Sequence, residues 1–304
     1  MAQNPQIQRN LVEHLRFQAI EHLWKIPSCS NPMETWMGRI TTILGDAPTA
    51  DAILSLGDNL SDIFENTSEP GRGQSTLAGA GYGWEALVCW YMNLCMIGSR
   101  SVVIKRKRQL IPTCVEDAMT IVYHNSPTNT ESDLLCLSFP NVPDVTNNLT
   151  NDHLRNFKQR LDEVARDNLE QLVVGNIQCK TNWKDNAQIP MLWDMIYRSS
   201  GFNDEGIHVG QNNFSITDFN DFSYSFMTVP THENPLPNSM PVHRVIGLSG
   251  GNYWGQQTRP NIASSIREIF NRNFEHGQNN NLRNDITTAL VDFETNFDYF
   301  RIPN

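Results

Sequence analysis

The sequence has no unbroken run of about 18 apolar residues, so it predicts no membrane-spanning helix. Its opening, MAQNPQIQRNLVEHL, lacks the apolar stretch of a secretory signal, and a cytoplasmic location is expected. None of the six cysteines forms a CxxC pair, and no Cys/His spacing fits tetrahedral zinc. The thiols at 29, 89, 95, 114, 136 and 179 are expected to be buried and free. The glycine-rich stretch at 71–83 lacks the GK[ST] ending of a phosphate-binding P-loop. No GxSxG elbow supports a serine hydrolase, and the eight histidines do not cluster. Charge is sparse at 18%, and positive charge is the scarcer sign, with a formal net of −10. Taken alone, that balance argues against a nucleic-acid partner, because phosphate binding needs positive potential.

The positive charge that exists is clustered. SRSVVIKRKRQ holds Arg100, Lys105, Arg106, Lys107 and Arg108 with no acid among them, and Arg155, Lys158 and Arg160 form a weaker group. Such a run is either a phosphate contact or a solvated face. Around it, the periodicity predicts a helix over 5–26 and two more over 32–45 and 48–66. A flexible glycine-rich loop follows, then an apolar helix over 84–97 with Glu85 in its first turn. There Glu85 either favours the helix dipole or serves a site. Strands are expected at 101–107, 118–123, 133–139, 173–182, within 214–230 and at 242–250, and helices at 151–170 and 261–274. The reading is one α/β domain with a single sheet between helical layers. It divides into an N-terminal helical region (1–68), a core (69–200) and a remainder (201–304).

The stretch VVGNIQCKTNWKDNAQIPMLWDMIYRS carries the strongest chemical signal. Side chains alternate along a strand, so Val173, Gly175, Ile177, Cys179 and Thr181 share one face. Val174, Asn176, Gln178, Lys180 and Asn182 share the other. That polar face is either solvated or catalytic. An acid that opens a neighbouring apolar strand favours the second reading, and Asp133 stands just before LLCLSF. With Glu85, these residues supply oxygen donors for Mg²⁺ and an ammonium to meet charge that builds on a phosphate. Cys179 lies between Gln178 and Lys180 and is expected to face the core.

The order of GWEALVCWYMNL, strand 101–107, Asp133 and Gln178-Cys179-Lys180 before a helix resembles the PD-(D/E)xK nuclease superfamily, the fold of most type II restriction endonucleases. The resemblance covers about residues 70–200. Ser132 stands where the motif has proline, and Gln178 where it usually has an acid. A Pro-Asp pair does occur at Pro143-Asp144, but VTNN rather than an apolar strand follows it. The resemblance implies a central mixed sheet flanked by helices. It implies Mg²⁺ held by Asp133, Gln178 and the Cys179 carbonyl, and catalysis by Asp133, Gln178, Lys180 and Glu85. It further implies cleavage of duplex DNA by a homodimer in a prokaryotic cytoplasm. A repair or junction nuclease of the same fold and an inactive DNA-binding or assembly protein are the rival readings. DNA contacts are expected from Arg106, Arg108, Asn182 and Gln188. Arg72, Gln74 and Ser75 either touch phosphates or face solvent. Gln256 and Arg259 either read base edges or sit in a polar turn.

Overall fold

A computed structural model of the chain describes residues 8–65, 75–128, 132–181, 188–228, 240, 243–244, 247–250, 252–253, 267 and 281–302. The expected helical layer forms as α1 (Leu11–Trp24), α2 (Pro27–Leu44), α3 (Ala50–Ser55) and α4 (Leu60–Glu65). Its ends follow local chemistry. The Asn10 side chain accepts from Glu13 N–H at 2.9 Å, and Pro27 occupies the first turn of α2, where a missing N–H does no harm.

The next helix, α5 (Ser75–Cys95), corrects the sequence reading. Gly79, Gly81 and Gly83 lie within it, not in a loop. Glycine weakens a helix, but here it permits close packing. A Cβ on Gly83 would meet Trp36 of α2 at 3.2 Å. Glu85 therefore sits well inside α5 rather than in a first turn. Dipole stabilisation fades beyond the terminal turn, so it does not account for Glu85.

Among the described residues the central sheet has five strands in the order β1 (Ser101–Lys105), β4 (Leu134–Ser138), β5 (Val173–Lys180), β8 (Asp221–Thr228) and β9 (Asn252–Tyr253). β1, β4 and β5 are antiparallel neighbours, while β5, β8 and β9 are parallel. Between β5 and β8 runs α10 (Gln188–Arg198). One sheet face carries Val103, Leu134, Cys136, Ile177, Cys179 and Met227 and packs on α2 and α5. The other carries Val102, Ile104, Leu135, Leu137, Val174 and Tyr224. It packs on α1, α6 (Thr113–Met119), α9 (Phe157–Asp167, which the short α8, Asn151–Arg155, precedes) and α10.

A second sheet, which the sequence reading did not foresee, joins β3 (Ser126–Thr128), β2 (Ile121–Tyr123), β7 (Ile207–Val209) and β6 (Gly201–Phe202), all antiparallel. Asp117 of α6 ties it down by accepting from the side chains of Gln211 and Asn212 at 2.7 and 3.1 Å. Two more expectations change. Residues 113–119 are helical, so the second strand begins only at Ile121, and His243 and Arg244 are helical rather than extended. Apart from Arg267, the helix expected over 261–274 lies outside the described residues. Among the described residues no helix is long and apolar enough to cross a membrane.

β1 is an edge strand, and α5 closes that edge. Asn93 Nδ2 donates to Val103 O at 2.7 Å, and Val103 N–H donates to Asn93 Oδ1 at 3.0 Å. Cys89 Sγ also donates to Val103 O, at 3.6 Å. Glu85, Cys89 and Asn93 recur at spacing four, so they share the helix face laid along β1. Asn93→Ala leaves Val103 N–H without its partner in a dry interior, and Val103 O with only the Cys89 thiol. It should lower the unfolding free energy by about 2–4 kcal/mol in a urea titration. A change within about 0.5 kcal/mol would show that the edge is held by packing alone.

Candidate active site

The antiparallel register of β4 and β5 brings Leu134 opposite Ile177, so Asp133 arrives beside the Gln178–Lys180 end of β5. Two hydrogen bonds fix it there. Asp133 N–H donates to Ile177 O at 3.2 Å, and Asp133 Oδ2 accepts from Cys179 N–H at 2.7 Å. The second is short, as expected for a charged acceptor. Arg106 N–H donates to Asp133 O at 3.2 Å, which ties the end of β1 to the same rim. Asp144 is elsewhere. It lies on the short helix α7 (Pro143–Thr146), beyond the opposite end of β4, and pairs with Arg160.

The alternation expected for β5 holds, but its polar face is not exposed. β5 is the middle strand of five, so helices cover both faces. Asn176 and Gln178 are both fully buried. Gln178 Oε1 accepts from Tyr224 OH of β8 at 3.2 Å. Only Lys180, the last residue of the strand, emerges into partial exposure. Cys179 faces the α5 side as expected, and burial pushes its thiol pKa well up. All six cysteines are buried and free, which agrees with the sequence reading and makes none of them a ready nucleophile.

Glu85 meets a partner that the sequence reading places elsewhere. Its carboxylate forms an ion pair with the Lys105 ammonium at the end of β1. The sequence reading groups Lys105 with a basic run that is either a phosphate contact or a solvated face. Two-residue alternation in SVVIK puts Lys105 on the face of Val103, and that is the face α5 packs on. The rest of the run divides. Arg108 is 85% exposed at the side chain and contacts Glu116 at 3.4 Å, while Lys107 lies 3.3 Å from His22 Nδ1. The second basic group is taken up by ion pairs, Lys158 with Asp162 and Arg160 with Asp144.

Gln188 begins α10, and its Oε1 accepts from Arg244 at 3.2 Å. Ser75 begins α5. Arg72, Gln74, Asn182, Gln256 and Arg259 lie outside the described residues.

Asp133, Gln178 and the Cys179 carbonyl each offer an oxygen donor, the chemistry a hard divalent cation takes. By donor type the residues fit Mg²⁺. Among the described residues no three His, Cys, Asp or Glu side chains converge, so any such site would depend on amide, backbone and water oxygens. No protein-family model matches this sequence, and no curated protein matches it.

Proposed function

We propose that the chain is a Mg²⁺-dependent endonuclease of duplex DNA, of the type II restriction kind, with its site at the Asp133–Lys180 rim of the central sheet. One observation carries this reading. The Cys179 N–H bond to Asp133 locks a partly exposed carboxylate onto the strand segment that ends in Lys180. The element order supports it. A helix with Glu85, then β1, Asp133 ahead of β4, Gln178–Lys180 on β5 and a helix after it keep the order on which the family resemblance rests.

Asp133, Gln178 and the Cys179 carbonyl would hold the ion. When bound, Mg²⁺ supplies Lewis-acid polarisation of a phosphate and eases ionisation of a coordinated water. The protein's own residues do the rest. Lys180 places a compact positive charge and N–H donors where negative charge develops on the phosphorus oxygens. Asp133 keeps its position because a backbone amide holds one oxygen. Arg106 and Arg108, beyond the end of β1, supply positive potential for the flanking backbone. A homodimer would present one site to each strand of a two-fold symmetric sequence.

The deciding experiment is digestion of supercoiled plasmid with Mg²⁺, followed by sequencing of the ends. Discrete bands with unique ends support the proposal. Structure-dependent nicking would move the chain to the repair or junction class, and binding without cutting would make it an inactive relative. A further expectation concerns the basic run. Neutralising Arg106 and Arg108 should weaken DNA binding evenly across sequences. It should also flatten log affinity against log salt by about one unit per lost contact. An unchanged slope would assign these side chains to the solvated surface.

A further inference from the structure

The rim holds a second lysine that the proposed chemistry does not use. Lys105 ends β1 opposite Leu134, the residue next to Asp133. Its ammonium pairs with Glu85, and the two side chains are only 11% and 14% exposed. The ring of Tyr82 lies 4.9 Å from the same nitrogen, a cation–π contact. The α5 contacts to Val103 fix the helix against this strand, so the pair is set by the fold rather than by chance meeting of long side chains. Burial lowers the Lys105 pKa, and the Asp133 carboxylate acts in the opposite direction.

The charge count then matters. Asp133 and Glu85 bring two negative charges, and Lys105 and Lys180 bring two positive ones. Gln178 is neutral where the resemblance has an acid. Affinity for a hard divalent cation follows the charge of its ligands and surroundings. In this rim the four charges cancel as long as Lys105 holds Glu85.

We propose that Lys105 is a positioning residue that sets the divalent-cation affinity of the rim, by competing for the charge of Glu85. This rests on the reading of the Asp133 rim as a metal site. Cation entry would then oppose the Glu85–Lys105 pair, and removing the ammonium would release a full negative charge to the ion.

The test is calorimetric titration of Mg²⁺, and of Mn²⁺ with its spin-resonance signal, into the full chain without DNA. Lys105→Gln keeps a donor for Glu85 but no charge, and should bind both ions about 10-fold tighter than wild type. Lys105→Arg keeps the charge and should stay near wild type. Glu85→Gln should bind about 10-fold more weakly. The double variant Glu85→Gln/Lys105→Gln restores the original balance and should return to near wild-type affinity. Wild-type affinity in Lys105→Gln overturns the inference and leaves the nuclease reading standing. Tightening that persists in the double variant also overturns it, because Lys105 would then act without Glu85. Absence of ion binding in wild type and Lys105→Gln alike removes both the inference and the metal reading. Should Lys105→Gln fail to fold, Glu85→Gln decides, and an unchanged affinity there sinks the proposal.

Discussion

Lys180→Ala should slow single-turnover cleavage by ~100- to 1000-fold while melting close to the wild type. The two halves of that expectation come from different parts of the structure. Lys180 is the final residue of β5, where the strand leaves the cover of its helices and becomes partly exposed. Truncating it there opens no sealed cavity, so the usual cause of a large stability loss is absent. Its chemistry is harder to replace. The Cys179 amide beside it is bonded to Asp133, so the backbone carrying Lys180 is registered to the carboxylate. An ammonium on that frame is preorganised, and a preorganised charge at a developing oxyanion accounts for a large share of a rate. Lys180→Arg should recover only part of the loss, because a planar fork does not reproduce a compact point charge. Measured with thermal melting alongside, an alanine variant that folds normally and cuts at the wild-type rate would remove Lys180 from catalysis, and the nuclease proposal with it.

Much of the frame behind that expectation was legible in the sequence. Alternation in VVGNIQCK assigns Ile177 and Cys179 to one face and Gln178 and Lys180 to the other, and the structure keeps that assignment. Asp133 ahead of LLCLSF reads as a strand-end acid because aspartate gains nothing from β propensity. The rest depends on contacts distant in sequence. Whether the polar face of β5 is wet or dry follows from its place between β4 and β8 and from the cover of α10, and no local pattern encodes a strand's neighbours. Gln178 is buried because Tyr224, far along the chain, is there to bond it. By propensity the glycines of GAGYG predict a loop. In the structure α5 runs through all three, with Gly83 against Trp36, and Glu85 therefore lies beyond the first turn. Lys105 shows the same limit from the other side. Charge clustering grouped it with Arg106 and Arg108, but the helix across the strand edge draws it inward to Glu85.

Asp133→Asn should abolish Mg²⁺-dependent cleavage, by more than ~1000-fold, while sparing the fold and DNA binding measured without Mg²⁺. The substitution preserves shape. The asparagine carbonyl can still accept from Cys179 N–H, and the backbone bonds to Ile177 and Arg106 are untouched. What changes is charge, at the acid the proposal places nearest the reacting phosphate. Replacing a charge-assisted bond by a neutral one should cost about 1 kcal/mol of stability, small enough to separate from the kinetic effect. Loss of the carboxylate leaves only neutral oxygens from Gln178 and the Cys179 carbonyl, with Glu85 engaged by Lys105, so nothing on the rim compensates a divalent cation. Asp144→Asn serves as the matched control. Asp144 lies beyond the far end of β4, against Arg160, and its neutralisation should leave the cleavage rate within about two-fold. Full cutting by Asp133→Asn, or its loss in Asp144→Asn, would move the site to the other end of the sheet. The meeting of Asp133 with Cys179 would then be a structural cap on β5 and nothing more.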